Sequence, residues 1–170
     1  MQPFELIVRD HGPMVLRVCR AVLGPQDAED AWSETFLSAM TAYPRLDPGA
    51  NIEAWLVTIA HRKAIDVTRA NARRPVAVEE VPERPGELGR PESWDPDLWA
   101  ALKKLTPRQR QAVAYHHLAG LPYKEVAALI GGTAEAARRA AADGIRILRT
   151  TYPVDMDTAR DGDREKGAAR

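Results

Sequence analysis

Apolar residues recur every three or four positions through most of the first seventy residues, and no stretch alternates with a period of two for long enough to indicate a strand. This pattern predicts an all-α fold. The first helix is predicted from about Phe4 to Leu23, with a kink or break at Gly12-Pro13 because proline removes a helical hydrogen bond. Gly24-Pro25 is expected to end it.

A second helix is predicted to start near Asp27, where acidic residues suit the positive end of the helix dipole. Its predicted buried side contains Ala28, Ala31, Trp32, Thr35, Phe36, Ala39 and Met40. The segment from Tyr43 to Asn51 contains two prolines and a glycine, so it is predicted to be a loop. A third helix is predicted from about Ile52 to Ala72, with a buried side formed by Leu56, Ile59, Ala60, Ala64 and Val67.

The composition changes between residues 75 and 97, which contain five prolines and seven acidic but only two basic side chains. Such a segment is typical of a flexible linker. Its 23 residues reach about 75–80 Å when fully extended. The sequence therefore predicts two small helical domains, residues 1–74 and 98–152, joined by this linker.

The helical pattern resumes at Leu98 in the second domain. Thr106-Pro107-Arg108-Gln109 supplies a helix cap, a proline at the first helical position and a Gln at the third, and this helix is predicted to end at Gly120. A short helix is predicted over about residues 123–130, and Thr133 is expected to cap a last helix that reaches about residue 152. This order, with Gly131-Gly132 as the turn, is a helix-turn-helix pattern. The charged tail, residues 153–170, is predicted to be disordered.

Composition excludes several classes of protein. Twenty-four basic and twenty-four acidic side chains give a formal net charge of zero, so polyanion binding requires local clusters. One cysteine, Cys19, and four histidines show no spacing typical of a metal site, and no cofactor is expected. The sequence shows neither a secretory signal nor an apolar run of about 20 residues, so we expect a cytoplasmic protein without membrane insertion.

The third predicted helix has a cationic side. Arg62, Asp66, Arg69 and Arg73 follow at steps of four, three and four residues, and His61, Lys63 and Arg74 lie beside them. This stripe suits a phosphate backbone. The alternative is a solvent-exposed face in which Asp66 pairs with Arg62 and Arg69.

Two further groups of residues precede this helix. Tyr43, Arg45, Asn51 and Trp55 combine groups that can stack on an unpaired base or bond its edge, although the two aromatic residues also suit a core. Asp27, Asp30 and Glu34 form an acidic stripe on the second helix, which suits either solvent or a basic partner.

The first turns of the last helix are expected to expose Ala134, Glu135, Arg138 and Arg139, in the position from which a recognition helix contacts bases. Helix-turn-helix shapes also occur in proteins that do not bind DNA. No pattern typical of catalysis is present, since His116-His117 point in different directions on a helix and no phosphate-binding loop occurs. We therefore do not expect an enzyme.

Motifs in both halves resemble those of bacterial RNA polymerase sigma factors of the extracytoplasmic-function (ECF) group. In the first half these are Asp27-Ala28-Glu29-Asp30-Ala31, Glu34-Thr35-Phe36-Leu37, Ala54-Trp55-Leu56, Ile59-Ala60, Ala64-Ile65-Asp66 and Arg69. In the second half they are Leu105-Thr106-Pro107-Arg108-Gln109-Arg110, Tyr123-Lys124-Glu125-Val126-Ala127 and Leu148-Arg149.

The resemblance implies a sigma factor that binds core RNA polymerase and directs promoter recognition, melting and transcription initiation. It implies docking of the second helix on the clamp coiled coil of the largest subunit, through Asp27, Glu29, Asp30, Trp32, Glu34 and Phe36. It also implies that the second domain binds the polymerase flap, and that an anti-sigma protein inhibits the chain.

The resemblance also divides the DNA contacts between the two domains. The minus-ten element is expected to contact Tyr43, Arg45, Asn51, Trp55, His61, Arg62, Lys63, Asp66, Arg69, Arg73 and Arg74. The minus-thirty-five element is expected to contact Thr133, Ala134, Glu135, Ala136, Arg138 and Arg139. Two alternatives remain at this stage: a helix-turn-helix regulator that does not serve polymerase, and an all-α adaptor that binds only proteins.

Overall fold

The computed structural model describes residues 1–73 and 95–152, and within these ranges all regular structure is helical. The all-α prediction is confirmed. The first domain contains α1 (Phe4–Leu23), α2 (Pro25–Ala42), a short 3₁₀ turn (Tyr43–Arg45) and α3 (Ile52–Arg73). The helices of the second domain are α4 (Pro96–Leu102), α5 (Pro107–Val113), a π-helical turn (Ala114–Leu118), α6 (Tyr123–Ile130) and α7 (Ala134–Thr151).

Helix α1 continues through Pro13, so a break at Gly12-Pro13, one of the two predicted outcomes, is wrong. The indole nitrogen of Trp32 in α2 donates a hydrogen bond to the carbonyl oxygen of Gly12 at 3.0 Å. A Cβ at Gly12 would lie 3.5 Å from the Trp32 side chain, an ordinary van der Waals distance, so the ring packs closely against this turn of α1. Burial of one apolar face against α2 and α3 offsets the proline penalty of about 3 kcal/mol.

The core of the first domain is formed by the facing sides of α1, α2 and α3. Its fully buried members include Ile7, Val15, Ala28, Ala39, Leu56 and Ala60. Helix α2 starts at Pro25, two residues before the predicted start. Met40 was predicted to be buried but is 53% exposed, because the next helices pack on the opposite side of α2.

The second domain begins slightly earlier than predicted. Helix α4 starts at Pro96, inside the last residues of the predicted linker, because the Asp95 carboxylate accepts a hydrogen bond from the backbone N–H of Asp97 and caps the helix. The Thr106 capping box predicted for α5 is confirmed, with both reciprocal bonds to Gln109 formed. The rest of the predicted linker and the tail after Tyr152 lie outside the described residues.

Helices α6 and α7 form the predicted helix-turn-helix. The turn residues Gly131 and Gly132 both have φ values of 86°, a conformation that suits glycine. The hydroxyl of Thr133 accepts a hydrogen bond from the backbone N–H of Ala136 at 3.1 Å and caps α7 as predicted. Ala137 and Ala141 are fully buried against α5 and α6, which leaves the opposite side of α7 exposed.

Within the described ranges, the helices include none that combines the length and hydrophobicity needed to cross a membrane.

Candidate functional site

Helix α3 presents its arginines to solvent. Arg62, Arg69 and Arg73 are exposed, Lys63 is half-buried and Asp66 is exposed. The alternative in which Asp66 pairs with Arg62 and Arg69 is not realised, because no ion pair joins these side chains in the part of the chain that the structure describes. Within the described ranges, these guanidinium groups therefore face solvent, where an anionic ligand could reach them. Arg74 lies outside the described residues.

His61 does not belong to this exposed surface. It is only 7% exposed, and its Nδ1 lies 2.6 Å from the hydroxyl oxygen of Tyr115 in the second domain. Burial lowers the pKa of His61, and the positive charge of Arg62 lowers it further, while the backbone carbonyl of Leu129 acts in the opposite direction. Sequence periodicity placed His61 beside the arginines, but the structure places it at the contact between the two domains.

The predicted base-contacting loop is partly built into the core. Tyr43 is 9% exposed, and its hydroxyl donates a hydrogen bond to the carbonyl oxygen of Gln2 at 2.7 Å. Trp55 is half-buried beside it, with ring centroids 6.3 Å apart. Tyr43 therefore supports the loop in this conformation rather than offering its ring to a base.

Two other loop residues lie at the surface. Arg45 is exposed, and the side-chain oxygen of Asn51 accepts a hydrogen bond from the backbone N–H of Ala54 in the first turn of α3. A cavity of about 250 Å³ lies between the loop and the amino-terminal residues, lined by Met1, Gln2, Ile7, Tyr43, Leu46, Asp47, Pro48 and Ile52. The loop thus combines an exposed cation with a small recess.

Asp30 and Glu34 of the predicted acidic stripe on α2 are exposed, and Glu29 beside them is exposed as well. Asp27 is half-buried, and its carboxylate accepts a hydrogen bond from the side-chain amide of Asn71 at 3.1 Å. This contact ties the start of α2 to the end of α3.

The two aromatic residues of the expected polymerase contact are less exposed than its carboxylates. Phe36 is 6% exposed and belongs to the core of the first domain, so it packs on the buried side of α2. Trp32 is half-buried, and its ring packs beside Phe36 with centroids 4.9 Å apart. The structure therefore places Phe36 beneath the surface rather than on it.

An exposed apolar patch continues the acidic stripe and was missed by the sequence analysis. Leu37 is 55% exposed and Met40 is 53% exposed, beside a shallow groove whose other apolar walls are formed by Phe4, Val8, Trp32 and Phe36. Leu37 follows Glu34 by three residues, which places both side chains on the same side of α2. That spacing was the available signal. We call Asp30, Glu34, Leu37 and Met40 the α2 surface.

Helix α7 holds one arginine in a defined position. The guanidinium carbon of Arg138 lies 5.4 Å from the ring centroid of Tyr123, and Glu135 pairs with Arg138 at 3.3 Å. Tyr123 in turn stacks on His116, with centroids 3.9 Å apart. Arg139 is exposed beside Arg138. Ala134 and Ala136, the other predicted contacts, are half-buried small residues.

Arg108 supports the turn of the helix-turn-helix and was not singled out from the sequence. Its guanidinium donates hydrogen bonds to the carbonyl oxygens of Ile130 and Gly131, at 3.2 and 2.8 Å. These carbonyls end α6, where helical partners are lacking. Arg108 therefore stabilises the turn that sets the direction of α7.

Acidic, histidine and cysteine side chains are not grouped for metal binding: the described part of the chain holds no cluster of three such residues able to hold a metal ion.

Comparison with known families matches both domains. Residues 7–74 match the model of sigma-70 region 2, and residues 96–147 match the model of sigma-70 region 4. The fold and the exposed cationic helix thus define a two-domain, helix-turn-helix protein of bacterial transcription.

Curated relatives give the family. The chain is 32% identical over 162 residues to the ECF RNA polymerase sigma factor ShbA of Streptomyces griseus, covering 85% of this chain and 84% of that protein. It is 32% identical over 163 residues to the RNA polymerase sigma factor CarQ of Myxococcus xanthus, covering 92% and 94%. It is 33% identical over 142 residues to the ECF sigma factor SigE of Mycolicibacterium smegmatis, covering 77% of this chain but 54% of that longer protein. The chain belongs to the ECF RNA polymerase sigma factors.

Solved structures share the fold. The sigma factor RpoE in complex with the anti-sigma factor NepR, from Bartonella quintana, superposes with a TM-score of 0.72 at 23% identity, covering 89% of this chain and 98% of that one. CnrH in complex with the cytosolic domain of CnrY gives a TM-score of 0.61 at 22% identity, covering 89% and 88%.

Proposed function

We propose that the chain binds core RNA polymerase and directs it to promoters, which it recognises and helps to open. The observation that carries this proposal is the combination, in one chain, of a sigma-70 region 2 with exposed arginines on α3 and a sigma-70 region 4 with a helix-turn-helix. A helix-turn-helix regulator that does not serve polymerase has no need of region 2, and a protein-binding adaptor has no need of the arginines.

The α2 surface is the proposed contact with the clamp coiled coil of the largest polymerase subunit. It joins exposed carboxylates to exposed apolar side chains, the composition of an interface with an apolar centre and a charged rim. The carboxylates Asp27, Glu29, Asp30 and Glu34 suit a basic partner and speed association with it. Trp32 and Phe36 hold the surface in place, and the second domain is proposed to bind the polymerase flap.

The DNA contacts are divided between the two domains. We assign the minus-ten element to Arg45, Asn51, Trp55 and the exposed cations of α3, with the loop recess as the place where an unpaired base enters. We assign the minus-thirty-five element to the start of α7, from Thr133 to Arg139. Strand opening then follows from tighter binding to the open form, and the chain itself acts as a positioning factor rather than as a catalyst.

An anti-sigma protein is the proposed regulator, because the two similar solved structures contain sigma factors held by the anti-sigma factor NepR or by the cytosolic domain of CnrY. Polymerase and promoters lie in the bacterial cytoplasm, so we place the chain there. We propose residues 1–74 and 98–152 as the working domains, with 75–97 as linker and 153–170 as tail; the described part of the second domain already begins at Asp95.

Transcription in vitro tests the proposal. Core polymerase, the full chain and a library of genomic promoter fragments should give transcripts that depend on the chain. The double variant Asp30→Lys/Glu34→Lys should abolish stimulation, because it reverses the charge of the α2 surface. The matched control Asp10→Lys reverses an exposed charge on α1 and should keep it. Absence of stimulation on every fragment, together with no binding to core polymerase, would refute the proposal.

A further inference from the structure

Tyr123 is the first residue of α6, and its ring contacts two other parts of the second domain. The ring stacks on the imidazole of His116, with centroids 3.9 Å apart and planes inclined by 15°. The guanidinium carbon of Arg138 in α7 lies over the same ring, 5.4 Å from its centroid. The Tyr123 ring therefore connects the π-helical turn, which contains His116, to the exposed start of α7.

A backbone contact fixes the orientation of His116. Its Nδ1 lies 2.8 Å from the carbonyl oxygen of Leu121, so this nitrogen carries a proton and donates a hydrogen bond. The π-helical turn itself is closed by a hydrogen bond from the backbone N–H of Ala119 to the carbonyl oxygen of Ala114, at 3.1 Å. Turns of this widened kind are frequent at functional sites. The imidazole is therefore a fixed support for the Tyr123 ring.

The core of the protein holds this support in place. Tyr115, the residue before His116, is 1% exposed and belongs to a hydrophobic cluster that also contains Val57 of the first domain. Ala114 is fully buried in the same cluster. Because protein cores are close-packed, the π-helical turn has little freedom to move. The position of the Tyr123 ring is thus determined by the core.

Arg138 is held by two neighbours although it lies at the surface. Its side chain is 61% exposed, and its Nη1 lies 3.3 Å from Oε2 of Glu135, one turn earlier in α7. Attraction between a guanidinium and a tyrosine ring at an exposed site shifts an equilibrium by roughly two- to fivefold. The ring and the carboxylate together restrict a long side chain that would otherwise sample many rotamers.

We propose that Tyr123 is a positioning residue for base recognition: its ring, supported by His116, orients the guanidinium of Arg138 toward a guanine of the minus-thirty-five element. This role rests on the proposed function, in which α7 contacts that element. Arginine binds guanine through paired hydrogen bonds to N7 and O6, which require a defined plane of the guanidinium. Order that exists before binding reduces the entropy lost on binding. Tyr123 thus contributes to sequence preference without touching a base.

Three variants distinguish this role from a direct contact with DNA. Tyr123→Leu removes the ring and should lower the preference for guanine at one position by roughly two- to fivefold. Tyr123→Phe keeps the face of the ring and should keep the preference, whereas Arg138→Ala should abolish it. A tyrosine that bound a phosphate through its hydroxyl would instead lose as much in Tyr123→Phe as in Tyr123→Leu.

Selection from a pool of DNA duplexes measures the preference. Short duplexes with a randomised central segment are incubated with the full chain at low salt, where phosphate contacts are strongest. The bound duplexes are sequenced, and the enrichment of guanine over the other bases is taken at each position. Tyr152→Leu is the matched control, because it removes a tyrosine ring at the far end of α7, about 20 Å along the helix from Arg138.

Loss of folded protein would not imitate the expected result, because it lowers binding to all duplexes by the same factor and leaves the ratio between bases unchanged. Circular dichroism verifies that each variant keeps its helices. In addition, Tyr123→Leu should change the selected sequences no further in an Arg138→Ala background, since Tyr123 acts through Arg138.

Four results would overturn the proposal: an unchanged guanine preference in Tyr123→Leu, equal losses in Tyr123→Phe and Tyr123→Leu, a further change in the Arg138→Ala background, or no guanine preference that depends on Arg138. The selection uses the chain without polymerase. Failure of the proposed function would therefore appear separately, as absence of transcription that depends on the chain.

Discussion

Nδ1 of His61 lies 2.6 Å from the hydroxyl oxygen of Tyr115, and this contact joins the third helix of one domain to the turn before the helix-turn-helix of the other. The Tyr115 hydroxyl is a hydrogen-bond partner of the neutral imidazole. Burial lowers the pKa of His61 below its ordinary value of 6.5. Among the described residues, Arg62 on the same helix lowers this pKa further, and the Leu129 carbonyl on α6 acts in the opposite direction.

The contact between the two domains should therefore depend on pH. The chain binds fewer protons with His61 buried in this contact than with the domains apart, so the stability of the contact is complete above about pH 6.5 and falls as the pH drops below that value. Dyes attached at the exposed positions Arg9→Cys and Ala142→Cys, one in each domain, in a Cys19→Ala background, should show energy transfer that decreases from pH 7.5 to pH 5.5. His61→Gln should remove this dependence and His11→Gln should keep it. The same pH profile in His61→Gln as in the wild type would contradict this assignment.

The exposed arginines of α3 should set the salt dependence of minus-ten DNA binding. Arg62→Ala/Arg69→Ala removes two phosphate contacts, which should reduce the slope of log affinity against log salt by about 1.4–1.8. Binding of a forked minus-ten fragment, measured by fluorescence anisotropy from 50 to 200 mM salt, provides this slope. Arg9→Ala/Arg17→Ala removes two exposed arginines of α1 as a control. An equal loss of slope in both double variants would mean that α3 has no special role.

The apolar half of the α2 surface should contribute to polymerase binding together with its charges. Leu37→Ala/Met40→Ala removes two half-exposed side chains whose burial on binding contributes about 2 kcal/mol in total. The Kd for a fragment containing the clamp coiled coil should rise roughly thirtyfold, as measured by calorimetry. Leu118→Ala, an exposed leucine of the second domain, is the control. An unchanged Kd in the double variant would exclude these side chains from the interface.

Arg108 should stabilise the helix-turn-helix through its two bonds to the end of α6. Arg108→Ala leaves the carbonyls of Ile130 and Gly131 to water, at an expected cost of about 1–2 kcal/mol of unfolding free energy. Denaturant unfolding measures this cost, and binding to minus-thirty-five DNA should weaken in parallel because α7 loses its fixed direction. Lys104→Ala removes an exposed cation nearby and should change neither. Full stability in Arg108→Ala would show that the turn holds without it.

Local sequence signals predicted the helices and their caps well. Thr106 with Gln109, and Thr133 before α7, form the expected side-chain bonds because a cap involves only residues three apart. The resemblance to ECF sigma factors is confirmed by both family matches.

Contacts between distant residues were not predictable in this way. Pro13 suggests a break, but α1 continues through it. The indole nitrogen of Trp32 in α2 donates a hydrogen bond to the carbonyl oxygen of Gly12, the residue before this proline. Met40 lies on the apolar side of α2 by periodicity, yet no described element covers it. His61 follows the cationic stripe in sequence, but its partner is 54 residues further along the chain. Such outcomes depend on how complete helices pack, which periodicity alone does not contain.

The shared cluster of Val57 and Tyr115 also affects how the protein can be divided in the laboratory. Cutting the chain within residues 75–94 would uncover apolar side chains that are buried in the intact molecule, including Val18 and Ala21. Each half expressed alone would then expose an apolar surface. The separate halves should therefore aggregate, or bind each other when mixed.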